Sequence, residues 1–83
     1  MLKEKIWNLS LPQAAEFFRS QEDVTAESGN VFVFRACRIT LKELKPAKMG
    51  IWSGKRINLR MEGDEADSEE IYHRFFMRFL SMG

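Results

Sequence analysis

The chain has 83 residues, of which 45% are apolar and 12% aromatic, and its 13 lysines and arginines stand against 12 aspartates and glutamates. This length suits one domain over residues 1–83 with one modest core, and the apolar content excludes a disordered chain. A net charge of +1 excludes binding to polyanions or membrane surfaces through total charge, so any electrostatic function must come from local clustering.

The first predicted element is a helix over residues 11–20. Ser10 suits the N-cap position, Gln13 completes a capping box, and Pro12 is tolerated in the first turn. The residues predicted for its buried face recur at helical spacing and are Leu11, Ala14, Ala15 and Phe18. The polar residues after this helix predict a loop that reaches residue 30.

A strand is predicted next, in "NVFVFRACRITLKEL" at residues 30–44, because β-branched and aromatic residues dominate it. Its first half is apolar on both faces, which is typical of a central strand. One face carries Val31, Val33, Cys37, Ile39 and Leu41, and the other carries Phe32, Phe34 and Ala36. Pro46 is expected to close the strand.

A hairpin is predicted for residues 47–61, with a three-residue loop at 53–55. This loop pairs apolar residues on the core side, namely Ile51 with Ile57, Met49 with Leu59 and Ala47 with Met61. A two-residue loop at Ser53 and Gly54 would shift the register by one and exchange the faces. In the favoured register the opposite face carries Lys48, Trp52, Arg56, Asn58 and Arg60.

A second helix is predicted over residues 68–81, with Asp67 and Glu70 as its capping box. Its apolar residues cover an arc of about 180°, wider than the stripe of somewhat over 100° that one sheet buries. These residues are Ile71, Tyr72, Phe75, Phe76, Phe79 and Leu80, with Met77 outside the arc. Either the first helix covers the remaining edge, or a second copy does, through Ile71, Met77 and Leu80.

These elements predict an α+β fold of αβββα order, in which two helices pack on one face of a three-stranded antiparallel meander. "VFVFRACRITL" places Cys37 inside an apolar run, so we interpret it as a buried small residue. The sequence start lacks the apolar run of a signal peptide, and no stretch approaches the roughly 18 apolar residues of a membrane span. We therefore expect a cytoplasmic protein without a membrane segment.

The sequence carries no recognisable catalytic, cofactor or metal motif. "GIWSGKR" has three residues between its glycines where a phosphate-binding loop needs four, and an arginine where that loop needs a serine or threonine. One histidine and one cysteine cannot supply a tetrahedral metal site. A ribonuclease that works without histidine would use Tyr72, but the position of this residue in the apolar arc favours the core.

Two functions remain. The first is a non-catalytic binding or adaptor module that forms a homodimer and contacts a protein partner, with no cofactor, metal or membrane. The alternative is nucleic-acid binding, because residues 35–60 hold eight lysines and arginines against one glutamate. Its candidate residues are Arg35, Arg38, Lys48, Trp52, Lys55, Arg56 and Arg60. The six acids at residues 62–70 count against it, since they would repel phosphate.

Overall fold

The computed structural model describes residues 2–49 and 52–80, and the side chains of residues 46–53 lie outside this description. Within these ranges the chain forms five strands and two helices. The strands are β1 (Leu2–Trp7), β2 (Val24–Ala26), β3 (Val31–Phe34), β4 (Cys37–Met49) and β5 (Trp52–Gly63), and the helices are α1 (Leu11–Ser20) and α2 (Glu65–Phe79). The strands form one antiparallel sheet in the order β1-β5-β4-β3-β2.

The α+β class is therefore confirmed, whereas the αβββα order with three strands is wrong. Strand β1 was missed because "LKEKIW" has three consecutive charged residues at its centre. Strand β2 was missed because it is three residues long and lies in a polar segment. The predicted strand over residues 30–44 is two strands, because the chain reverses at Arg35 and Ala36 and pairs Phe34 with Cys37.

The N-terminal end of α2 holds this reversal in place. Arg35 takes a φ of 51°, a left-handed conformation that costs a residue with a side chain about 1–2 kcal/mol. The Ala36 N–H donates to Asp67 Oδ2 at 3.2 Å, and the Ala36 carbonyl accepts from the Asp64 N–H at 2.9 Å. Arg35 Nη1 also lies 3.3 Å from Glu70 Oε1. Contacts from a distant segment thus stabilise a turn that has no glycine or asparagine.

The predicted loop at residues 53–55 is also wrong. Residues 53–55 lie within β5, strands β4 and β5 pair Met49 with Trp52, and Leu59 lies opposite Leu41 rather than Met49. The predicted partners Ala47, Met49 and Ile51 belong to the part whose side chains are not described. Between residues 37–44 and 56–63 the register differs from the prediction by an even number of residues, which leaves the side chains of this part of β5 on their predicted faces. The core-side residues are fully buried, namely Ile57, Leu59 and Met61.

The two helices pack on one face of the sheet around stacked phenylalanines. The Phe18 ring of α1 lies 5.4 Å from that of Phe32 in β3 and 5.5 Å from that of Phe75 in α2. Helix α1 has its predicted bounds and its predicted capping box. Helix α2 begins before its predicted start, because Asp64 rather than Asp67 is the N-cap and accepts from the Asp67 N–H at 3.0 Å.

Candidate functional site

The seven residues proposed for nucleic-acid binding do not form one surface. Arg35 lies at the turn between β3 and β4, where it pairs with carboxylates of α2. Arg38 and Arg60 lie on the open face of the sheet, opposite the helices. Arg38 Nη2 is 3.1 Å from Glu27 Oε1, and Arg60 Nε is 3.3 Å from Glu62 Oε1 and 3.8 Å from Glu4 Oε1. Acids therefore neutralise these three cations.

The other four residues are Lys48, Trp52, Lys55 and Arg56, and they lie on the parts of β4 and β5 that extend beyond β1 and β3. Lys55 is exposed and Arg56 is half-buried, and Arg56 Nη2 donates to the Lys45 carbonyl at 3.3 Å. No carboxylate within the described residues forms an ion pair with Lys45, Lys55 or Arg56. In the strand pairing Lys48 lies opposite Ser53 and Trp52 lies opposite Met49, and the side chains of Lys48 and Trp52 belong to the undescribed part.

A second candidate surface is apolar and runs between the edge strand β1 and helix α2. We call it the apolar seam and define it as Ile6, Tyr72, Phe76 and Leu80. Ile6 is 62% exposed, Phe76 39% and Leu80 55%, while Tyr72 is half-buried. These residues line a shallow groove together with Lys5 and the buried Trp7, and Ile6, which pairs with Asn58, lies at its strand edge. The Trp7 ring forms the floor, 5.9 Å from the Phe76 ring and 6.3 Å from the Tyr72 ring.

Of the three residues expected at a dimer interface, Met77 and Leu80 are exposed and Ile71 is buried. Ile71 is fully buried and offers no surface to a second copy. Helix α1 covers that side of α2, because the Phe17 ring lies 5.5 Å from Phe75 and 5.9 Å from Phe79. Leu80 belongs to the apolar seam, whereas Met77 is 58% exposed and does not line the groove. Sequence reasoning missed Ile6 because it missed β1.

The thiol of Cys37 is placed for packing and not for reaction. Its side chain is 1% exposed, and its Sγ lies 3.3 Å from the hydroxyl of the buried Ser68. Burial raises the pKa of the Cys37 thiol above its ordinary value, which keeps the group protonated at neutral pH. This agrees with the interpretation of Cys37 as a small buried residue.

Side chains that could hold a metal ion are not gathered anywhere in the described part of the chain: no group of three or more His, Cys, Asp or Glu residues is found there. His73 is exposed on α2. Within residues 2–49 and 52–80, neither helix is long and apolar enough to cross a membrane. Comparison with protein-family models and with curated protein sequences gives no match for this chain.

Proposed function

We propose that this protein is a small non-catalytic binding module of the cytoplasm that self-associates through the apolar seam and in that form contacts a protein partner. The observation that supports this proposal is the exposure of Phe76 and Leu80 in a groove that is also lined by the buried Trp7 and by the edge residue Ile6. Exposed apolar side chains are ordinary when scattered, but a contiguous group beside an open sheet edge is typical of an interaction surface.

Side-chain packing, rather than strand pairing, is the expected mode of association. Lys3 and Lys5 lie on the edge strand β1, and lysines on an edge strand disfavour the addition of another strand. A two-fold axis through the seam would instead place Phe76 and Leu80 of one copy against the same residues of the other.

The proposed dimer is expected to be weak. Covering the seam removes roughly 200 Å² of apolar surface per chain, on the order of 5 kcal/mol at 25 cal/mol per Å². A standard stable interface buries about 800 Å² per partner, and association itself costs about 4–15 kcal/mol. The balance therefore favours a dimer that forms only at high protein concentration.

Sedimentation equilibrium from micromolar to millimolar protein tests this proposal. The mass should rise from the monomer value of 9.7 kDa toward twice that value as concentration increases. Leu80→Glu should keep the protein monomeric, because it places a charge in the seam. Leu2→Glu is the matched control: Leu2 is 55% exposed, lies at the other end of β1 from Ile6 and does not line the groove, so the dimer should persist.

A constant monomer mass at every concentration would exclude self-association. An equal effect of the two substitutions would place the interface elsewhere. Met77→Glu reports whether the contact extends around α2 to the residue that the sequence pattern placed in the interface.

A further inference from the structure

Strands β4 and β5 extend beyond both of their neighbours in the sheet. The last pair between β3 and β4 is Val31 with Thr40, and the last pair between β1 and β5 is Trp7 with Ile57. Strand β4 nevertheless continues to Met49, and β5 begins at Trp52. Residues 44–49 and 52–56 therefore form a two-stranded ribbon that projects from the sheet, and we call it the arm. Accordingly, the molecule measures 42 Å along its longest axis and 21 and 20 Å across it.

The arm concentrates positive charge. Residues 44–56 contain four cations, Lys45, Lys48, Lys55 and Arg56, and no acid. The whole chain carries +1 and this segment carries +4, so all other residues together carry −3. Among the described residues, Arg56 and Lys45 are held together across an irregularity in the β4–β5 pairing, through the hydrogen bond from Arg56 Nη2 to the Lys45 carbonyl.

The acids of residues 62–70 begin at the end of β5 that is far from the arm. Strand β5 runs from the arm to Gly63, and α2 starts directly after it. Seven residues separate Arg56 from Gly63, which corresponds to roughly 23 Å of extended strand. Charges in solvent are screened over about 8 Å at physiological ionic strength. These acids therefore do not cancel the potential at the arm, and the nearest acid in the pairing register is the exposed Glu43, opposite Ile57.

The shape of the arm selects one kind of polyanion. A two-stranded antiparallel ribbon fits the major groove of B-form DNA, which is about 12 Å wide, and lysines and arginines on its strands then reach the phosphates on either side. The major groove of an RNA duplex is deep and too narrow for this. A membrane surface has no groove, and a flat anionic surface would not require a projecting ribbon.

We propose that the arm binds duplex DNA by lying in the major groove, and that Lys45, Lys55 and Arg56 contact backbone phosphates. Contacts of this kind position a protein without reading bases, so the binding has little sequence preference. None of these three residues lines the apolar seam, and the binding does not depend on self-association.

Fluorescence anisotropy with the full chain and a labelled 20-base-pair DNA duplex, measured from 20 to 200 mM KCl, tests the proposal. Three phosphate contacts predict that log K falls with log salt concentration with a slope of roughly −3. Lys45→Gln combined with Lys55→Gln should weaken binding at least about tenfold at low salt and reduce the slope by about two. Lys3→Gln combined with Arg19→Gln removes the same charge from the rest of the molecule and should change affinity less than about threefold.

Three results would overturn the proposal. The first is no binding to duplex DNA at 20 mM KCl. The second is an equal loss of affinity in the two double variants, which would indicate attraction by total charge. The third is equal or tighter binding to an RNA duplex of the same sequence or to vesicles with anionic lipid, because neither offers a groove that admits the arm. Circular dichroism of each variant shows whether its fold is retained.

Discussion

The Arg74 guanidinium donates to both carboxylate oxygens of Asp23, at 2.9 and 3.1 Å, and so ties helix α2 to the segment between α1 and β2. Its other terminal nitrogen donates to Glu70 at 2.7 Å, one turn earlier on the helix. The same guanidinium lies over the Phe34 ring, 4.9 Å from its centroid. One side chain therefore joins α2, the Asp23 segment and the β3 end of the sheet.

The Asp23–Arg74 contact predicts a pH effect at the acid end. The pKa of Asp23 lies below the ordinary value of 3.8, and the main cause is the hydrogen bond that Asp23 accepts from Arg74. Stability linked to this depressed pKa is present above the unfolded-state value and is lost as pH falls through the folded-state value. Both groups are solvent-accessible, so the contribution is small. We expect an NMR titration to show the low pKa of Asp23 in the parent and a higher value in Arg74→Gln; the same pKa in both would contradict the assignment.

Gly63→Ala should destabilise the protein by about 2–4 kcal/mol. Gly63 has a φ of 126°, and a Cβ at this position would collide with the Ala36 carbonyl oxygen. Urea denaturation measures the change in unfolding free energy. Gly29→Ala is the control, because a Cβ there meets nothing within 4 Å, and its cost should stay below about 1 kcal/mol. Similar costs at the two positions would contradict the close approach at Gly63.

The alternation along β5 predicts opposite outcomes at two neighbouring residues. Met61 is 1% exposed in the core, so Met61→Lys should unfold the domain or nearly so, because it buries a charge without a partner. Arg60→Lys keeps a cation on the open face and should change stability by less than about 0.5 kcal/mol. Thermal unfolding followed by circular dichroism compares them, and equal losses would contradict the observed faces.

The capping box of α1 predicts that substitutions of Ser10 lower the stability of the protein by different amounts. The Ser10 side chain accepts from the Gln13 N–H at 3.3 Å, and the Gln13 side chain accepts from the Ser10 N–H at 3.0 Å. Ser10→Ala should cost about 1 kcal/mol, whereas Ser10→Gly should cost only a few tenths, since glycine is itself acceptable at an N-cap. Chemical denaturation of both variants measures the series, and a larger loss for glycine would speak against a capping role.

Local signals in the sequence were sufficient for several elements. Helix α1 was predicted with its bounds because Ser10 and Gln13 satisfy each other within one turn, and no distant residue takes part. The core side of β5 was predicted because side chains along a strand alternate between its two faces. A pairing shifted by an even number of residues leaves each side chain on the same face. The wide apolar arc of α2 left open whether α1 or a second copy covers its second edge; in the structure Ile71 is buried and Leu80 is 55% exposed.

Tertiary contacts decided the rest. The reversal at Arg35 and Ala36 depends on Asp64, Asp67 and Glu70, some 30 residues further along the chain, so nothing in the local sequence indicates a turn. The same holds for β1, which exists as a strand through its pairing with β5 and which adds Ile6 to the groove lined by Phe76.

The distance in space between the basic and the acidic residues also could not be predicted from the sequence. In sequence the basic residues of 44–56 and the acids of 62–70 are close, and they were expected to cancel. The length of β5 places them at opposite ends of an extended strand, while Arg38 and Arg60 acquire acidic neighbours from other segments. Sequence alone determined the composition, the cap of α1 and the alternation of faces along β5, because these depend on neighbours within one turn or strand. Which charges meet and which surfaces remain exposed depended on strand pairing between distant residues, which a local pattern does not encode.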